Sequence, residues 1–109
     1  MKKFFPIIFL SFLILVTGCS KAPTKVLLIF SYHQECPWVI NQTSGVEDVF
    51  TDKGFFIEKF YMDTKRRTSQ EWETRVSKEA MKKIESMKPD VVMLFDDNAC
   101  ELVGKEYIG

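Results

Sequence analysis

The sequence has little of what nucleotide-binding and nucleic-acid-binding proteins use to hold phosphate groups. Its five glycines form neither a G-x-G-x-x-G pattern nor a P-loop, in which glycine lets the backbone approach phosphate. The 15 basic and 15 acidic residues cancel to a formal charge of zero, whereas a nucleic-acid-binding chain usually has a basic excess. With only three cysteines, the composition is that of a globular domain and not of a disulfide-dense chain.

The beginning of the chain has the pattern of a secretory signal peptide. Lys2 and Lys3 precede a largely apolar run over residues 4–16. This run is shorter than the roughly 18–20 apolar residues that a membrane span needs. A short basic start followed by a short apolar run is typical of an export signal, and we therefore assign residues 1–18 to a signal peptide.

Residues 16–19, Val-Thr-Gly-Cys, resemble a bacterial lipobox, in which the cysteine receives lipid and becomes the mature N-terminus. Acyl chains such as palmitate on Cys19 would anchor the protein, because two or more chains bind a membrane stably. Residues 19–24 would then form a lipidated tether. This predicts a protein of the cell envelope that faces the periplasm or the cell exterior. An ordinary cleaved signal peptide with an incidental cysteine is the alternative.

The rest of the chain alternates between strand and helix patterns. Apolar runs at residues 26–31 and 91–95, and a segment rich in aromatic and β-branched residues at 55–62, predict three strands. Continuous apolar runs of this kind are typical of parallel strands that are buried on both faces.

Three helices are predicted between and after these strands. The first covers residues 37–53 and is ended by Gly54. The second begins after Thr68, which stands three residues before Glu71, the spacing of a capping box. The third begins at Ala99. The second helix carries a single apolar stripe, which consists of Trp72, Val76, Ala80, Ile84 and Met87.

This order predicts an α/β fold with three layers: a parallel sheet with helices on both faces. Right-handed crossovers place the strands in the order 2-1-3. Ligands of open α/β sheets bind outside the carboxyl ends of the strands, where the strand order reverses. The segments at that point are residues 31–38 and 96–100, which are the candidate site.

The first segment offers hydroxyl, imidazole, amide and aromatic groups, a mixture suited to a small polar or ring-bearing ligand. Tyr32 and Trp38 could instead pack on the rim, and His33 could be a hydrogen-bonded loop residue. Ser31, His33 and Asp96 contain the groups of a nucleophilic trio, but the G-x-S-x-G elbow is absent.

The second segment begins with Asp96, Asp97 and Asn98. Their oxygens could accept hydrogen bonds from a ligand ammonium or hydroxyl group. They could also bind a divalent cation, although we predict no metal here, or one of them could cap the following helix.

Two other groups of residues leave alternatives open. Cys36 and Cys100 would lie at the same sheet edge, where they could pair as a disulfide in an oxidising compartment or remain free thiols. Residues 65–67, Lys-Arg-Arg, form a basic turn that is either solvated or in contact with a partner or an anion.

A set of motifs follows in order through most of residues 26–99. They are Ile29-Phe30-Ser31-Tyr32-His33, Pro37-Trp38, Gly45, Tyr61-Met62-Asp63-Thr64-Lys65-Arg66, Trp72, Lys88-Pro89-Asp90 and Asp96-Asp97-Asn98-Ala99. Together they resemble the N-terminal lobe of a group of ABC transporter substrate-binding lipoproteins. Related modules serve as extracytoplasmic sensor domains.

The resemblance implies a type I periplasmic-binding-protein fold, in which two α/β lobes clamp a ligand between them. It implies a membrane-anchored solute-binding protein of an ABC-type importer, with an ABC permease as partner and with neither catalysis nor a cofactor. The ligand would be a small molecule such as an amino acid, since some relatives bind aromatic amino acids. The residues that the resemblance places in the cleft are Ser31, Tyr32, His33, Trp38, Asp96, Asp97 and Asn98.

The alternative function is a ligand-sensing lipoprotein or sensor module that signals to a partner protein. The chain is also far shorter than a complete family member. We therefore expect residues 25–109 to be a partial N-terminal lobe.

Overall fold

The computed structural model describes residues 22–108, so the signal peptide and Cys19 lie outside the described residues. Three strands alternate with three helices, and a short 3-10 turn follows the last helix. The elements are β1 (Thr24–Phe30), α1 (Pro37–Phe50), β2 (Phe55–Tyr61), α2 (Gln70–Met87), β3 (Val91–Phe95), α3 (Asp96–Leu102) and the 3-10 turn (Gly104–Glu106).

The strands form one parallel sheet in the order β2-β1-β3, which confirms the predicted α/β fold and strand order. Phe30, at the end of the central strand, pairs with Tyr61 on one side and Phe95 on the other. The three carboxyl ends therefore lie side by side at one edge. Residues 26–30 of β1 are all buried, as expected of a central strand that is covered on both faces.

One face of the sheet packs against α1. Val26, Leu28 and Phe30 contact the buried helix residues Val39 and Val46. On this face the Phe30 ring stacks with its two strand neighbours, at centroid distances of 5.4 Å to Tyr61 and 4.6 Å to Phe95.

The opposite face packs against α2 and α3. Leu27 and Ile29 form a core with Val76 and Ala80 of α2, and with Ala99 of α3. The predicted stripe of α2 is confirmed: the other three members, Trp72, Ile84 and Met87, are partly buried against the same core.

The ends of the first two helices differ from the predictions. α1 ends at Phe50, three residues before the predicted Lys53, and a turn follows in which Asp52 and Gly54 have φ values of 68° and 76°. The cap of α2 is Ser69 and not Thr68, because the Ser69 hydroxyl accepts a hydrogen bond from the backbone N–H of Trp72 at 3.1 Å.

The last helix, α3, begins at Asp96 and not at Ala99. No side chain at its own N-terminus caps it; as described below, the cap comes from another strand. No helix within residues 22–108 is both long and apolar enough to cross a membrane.

Candidate functional site

Ser31 joins all three strands at the carboxyl edge of the sheet. Its N–H and hydroxyl both donate to the backbone oxygen of Phe95, at 3.2 and 2.6 Å. The hydroxyl oxygen also accepts from the backbone N–H of Ala99 at 2.8 Å. Ser31 is fully buried and its hydroxyl already has partners on both sides, while its role as a ligand-contacting residue stays a prediction. The proposed nucleophilic trio is not assembled, because the Ser31 proton does not go to His33.

Thr64, three residues beyond Tyr61 at the end of β2, links Ser31 to α3. Its backbone N–H and its hydroxyl both donate to the backbone oxygen of Ser31, at 2.9 and 2.7 Å. The Thr64 hydroxyl oxygen in turn accepts from Nδ2 of Asn98 at 2.7 Å. The predicted site residue Asn98 is thereby held at the edge, half-buried.

His33 lies beside Asp63. Asp63 is the second residue after β2 and follows Met62. The distance from His33 Nδ1 to Asp63 Oδ1 is 3.6 Å, which is longer than a hydrogen bond, and the two side chains are 18% and 20% exposed. The buried Nδ1 atom has no hydrogen-bond partner in the described part of the chain. His33 is therefore not the fully hydrogen-bonded loop residue of the alternative prediction.

Asp63 has a second, closer partner in the basic turn. Arg66 binds it through Nε at 2.8 Å and Nη2 at 3.1 Å. The hydrogen bond from Arg66 is the largest effect and lowers the pKa of the Asp63 carboxyl. Partial desolvation opposes it, and the charges of Arg66, His33 and Arg67 add smaller lowering effects. The same hydrogen bond raises the pKa of Arg66. Asp63 is therefore a carboxylate at neutral pH.

Asp96 is half-buried and bonded to α1. Gln42 donates from Nε2 to Oδ2 of Asp96 at 3.3 Å, and the other amide atom, Oε1, is buried with no partner among residues 22–108. Asp97 is exposed. Asp63 and Asp96, which follow β2 and β3, both have positive φ values, 56° and 71°, a conformation that aspartate tolerates better than most residues.

The aromatic residues of the site differ in their environments. Tyr32 is partly buried against the α1-side core, and the Lys65 ammonium lies 5.5 Å from its ring centroid. Trp38, at the start of α1, is 65% exposed and is available to a ligand. By contrast, Trp72 belongs to the fold: its Nε1–H donates to the backbone oxygen of Met62 at 2.9 Å, and Arg67 stacks on its ring at 3.6 Å.

The two cysteines that could have formed a disulfide are both free. Cys36 is buried in the core beside α1, whereas Cys100 is exposed on α3. The structure thus has the free-thiol alternative. Within residues 22–108, no group of three or more histidine, cysteine or acidic side chains converges as metal ligands.

Reasoning from the sequence missed Gln42, Asp63 and Thr64. The predicted site consisted of the segments after the first and third strands, between which the strand order reverses. It did not include the segment after the second strand. The polar residues Asp63 and Thr64 directly beyond that strand were a usable signal. Gln42 stands one helical turn after Trp38, so the exposed tryptophan could also have pointed to it.

Comparison of the chain with protein families, with curated proteins and with solved structures gave no match in any of the three.

Proposed function

We propose that this chain is a lipid-anchored, extracytoplasmic solute-binding protein of an ABC-type importer, and that it binds a small molecule at the carboxyl edge of its sheet. The proposal joins three things: the lipobox-like segment at residues 16–19, the motifs that resemble solute-binding lipoproteins, and a polar edge at the point where the strand order reverses. Parallel α/β sheets bind their ligands at such an edge.

One observation carries the binding part of the proposal. Two side-chain atoms, His33 Nδ1 and Gln42 Oε1, are buried without a hydrogen-bond partner in the described residues, and both belong to this edge. A buried polar atom without a partner costs about 1–3 kcal/mol. Neither atom has accessible surface in this conformation, so a solute could bind them only after these partly exposed side chains turn outward. The cost that such binding would remove favours this edge over other parts of the surface.

In this function the edge is one wall of a cleft. The resemblance implies a second lobe that closes over the ligand by a hinge motion, so that a permease can recognise the closed form. The lipid on Cys19 would keep the binding protein close to the membrane, where a tether raises the effective concentration at a membrane partner.

A binding screen of the full-length gene product tests the proposal. We expect a compound from a panel of amino acids, amines, sugars and carboxylates to raise the melting temperature. The Gln42→Leu variant should bind that compound about 5–150-fold more weakly, the equivalent of about 1–3 kcal/mol. Gln70→Leu, which removes an exposed amide from the start of α2, is the matched control and should keep full affinity. If no compound raises the melting temperature, the proposed function is wrong.

The anchoring part is tested separately. Cells that express the full gene should incorporate labelled palmitate into the protein, and the Cys19→Ala variant should incorporate none. Equal labelling of both proteins, or of neither, would contradict lipidation at Cys19.

A further inference from the structure

His33 and Asp63 face each other at the carboxyl edge, one from the segment after β1 and the other from the segment after β2. The distance from Nδ1 of His33 to Oδ1 of Asp63 is 3.6 Å, beyond the range of about 2.7–3.2 Å for an N–H···O hydrogen bond. The Nδ1 atom is buried and has no hydrogen-bond partner among residues 22–108. The two side chains are therefore adjacent but not bonded.

The number of protons on the imidazole decides whether this gap can close. The Asp63 carboxylate can only accept a hydrogen bond. In the neutral tautomer with its proton on Nε2, Nδ1 is also an acceptor, so that two lone pairs face each other and the atoms stay apart. The charged ring carries a proton on both nitrogens, and Nδ1 then becomes a donor. A charge-assisted hydrogen bond is about 2.7–2.9 Å long, so the two atoms need to approach by less than about 1 Å.

Arg66 does not prevent this contact. It binds Asp63 through Nε at 2.8 Å and Nη2 at 3.1 Å. The two oxygens of a carboxylate offer about four acceptor positions between them. Asp63 can therefore accept from Arg66 and from a charged His33 at the same time.

The other charged groups around the pair act in both directions. They are Glu35 in the segment of His33, and Lys65 and Arg67 in the turn after Asp63. Glu35 favours a charge on His33, whereas the two cations and the partial burial of the ring oppose it. Lys65 and Arg67 are exposed, so water and salt screen their repulsion. Asp63 acts at contact distance and is screened less.

The neighbouring elements supply no second acid to this contact. Within the described residues, Asp63 is the acid that lies within 4 Å of a His33 nitrogen. After β3, Asp96 accepts from Gln42 and Asp97 is exposed. On α1, Glu47 is paired with Lys59.

We infer that protonation of His33 closes it onto Asp63, so that the segment after β1 is tied to the segment after β2 in mildly acidic solution and released from it as the solution becomes neutral. The inference goes beyond the proposed function, because it concerns the free protein and needs no ligand. Since both segments lie at the candidate site, a proton on His33 would also change the shape of that site.

His33 is the single histidine of the chain, so its ring signals in a ¹H–¹⁵N NMR spectrum of the full-length protein need no assignment. We expect a slowly exchanging Nδ1–H proton at pH 5.5 that is absent at pH 8. Asp63→Asn keeps a residue that tolerates the positive φ of 56° but removes the charge, and it should lose this signal. A signal that is missing from the wild type at pH 5.5, or that is equally strong in Asp63→Asn, overturns the inference.

Stability provides a second readout. A hydrogen bond that only the charged ring makes contributes stability in mildly acidic solution and is lost as the pH rises through the range in which histidine titrates. In urea near the midpoint, the ratio of folded to unfolded wild type should be about fivefold or more higher at pH 5.5 than at pH 8. Asp63→Asn and His33→Gln should change by less than about twofold. Asp97→Asn, which removes an exposed carboxylate from the same edge, is the matched control and should keep the wild-type response.

A wild type that is equally stable at both pH values, or less stable at pH 5.5, overturns the inference. An equal pH response of the wild type and Asp63→Asn also overturns it. Each of these measurements is made without a ligand, so the inference and the proposed function can fail separately.

Discussion

The hydroxyl of Ser31 caps a helix that begins far along the chain, since it accepts the backbone N–H of Ala99 at 2.8 Å across 68 positions of sequence. A capping side chain normally comes from the residue just before the helix. Here Ser31, at the end of the central strand, provides the cap. The position of α3 is therefore tied directly to the end of β1.

This relationship predicts that Ser31 supports stability. Ser31→Ala removes the donor to Phe95 and the acceptor of Ala99, and leaves a buried N–H without a partner. We expect the free energy of unfolding to fall by about 1–3 kcal/mol, measured by urea titration. Ser44→Ala, on the exposed side of α1, should change it by less than about 0.5 kcal/mol. Unchanged stability with lost ligand binding would make Ser31 a ligand contact after all.

Position 64 should tolerate only a substitution that keeps a hydroxyl group. Thr64→Val has nearly the same shape but removes the donor to Ser31 and the acceptor of Asn98, so we expect a loss of about 1–3 kcal/mol in unfolding free energy. Thr64→Ser keeps both hydrogen bonds and should lose less than half as much. If the two variants are equally stable, the hydrogen bonds of Thr64 do not matter for the fold.

The interaction of Asp63 with Arg66 predicts that the stability of the protein depends on pH in the acid range. Its pKa is lowered from the ordinary value of 3.8, mainly by the hydrogen bond from Arg66. A lowered pKa in the folded state contributes stability above the unfolded pKa, and this contribution is lost as the pH falls through the folded pKa. Arg66→Gln should therefore raise the pKa of Asp63 and weaken the acid dependence, measured by NMR titration of the carboxyl carbon. Arg75→Gln, whose side chain lies over Trp72, is the control. An unmoved Asp63 pKa in Arg66→Gln would show that the ion pair does not form in solution.

Two glycines should respond in opposite directions to alanine. A Cβ atom at Gly104 would lie 2.7 Å from Cδ1 of Leu94, whereas one at Gly45 would meet nothing within 4 Å. We expect Gly104→Ala to destabilise by at most about 1 kcal/mol, because Leu94 must shift to make room but borders a cavity into which its side-chain end can turn. Gly45→Ala, inside α1, should stabilise by about 0.5–1 kcal/mol. Shifts of the same sign in thermal unfolding would contradict this packing.

The crowding at Gly104 can be checked by a second substitution. Leu94→Ala removes the atom that the new Cβ would meet, so the double variant should be more stable than the sum of the two single effects predicts. Strict additivity would mean that the two residues do not touch.

The strands, their order and the stripe of α2 could be predicted from the sequence because they depend on local patterns. Apolar runs define the strands, and spacing of three and four residues defines the buried side of a helix. The start of α3 could not be predicted, because its cap, Ser31, comes from another strand. The sequence could not distinguish Thr68 from Ser69 as the cap of α2, because the hydroxyl group of either residue can accept a backbone N–H. The two candidates place the start of the helix only one residue apart.

The location of the candidate site could be predicted from the sequence, but only some of the residues at that location could be. The edge and the residues His33, Trp38, Asp96 and Asn98 follow from topology and from side-chain chemistry. The pairing of Gln42 with Asp96 depends on how α1 packs over the sheet, which no local pattern contains. The burial of Ser31 could not be predicted for the same reason, because it results from three segments meeting.

The hydrogen bonds of Ser31 also make the edge depend on all three strands at once. Pairing of β1 with β2 alone would supply the Thr64 contact but would leave the Ser31 hydroxyl and N–H without Phe95 and Ala99. The edge therefore takes its final form only when β3 and α3 have joined the sheet. Displacement of β3 and α3 would therefore undo the geometry of the candidate site even while β1 and β2 stay paired.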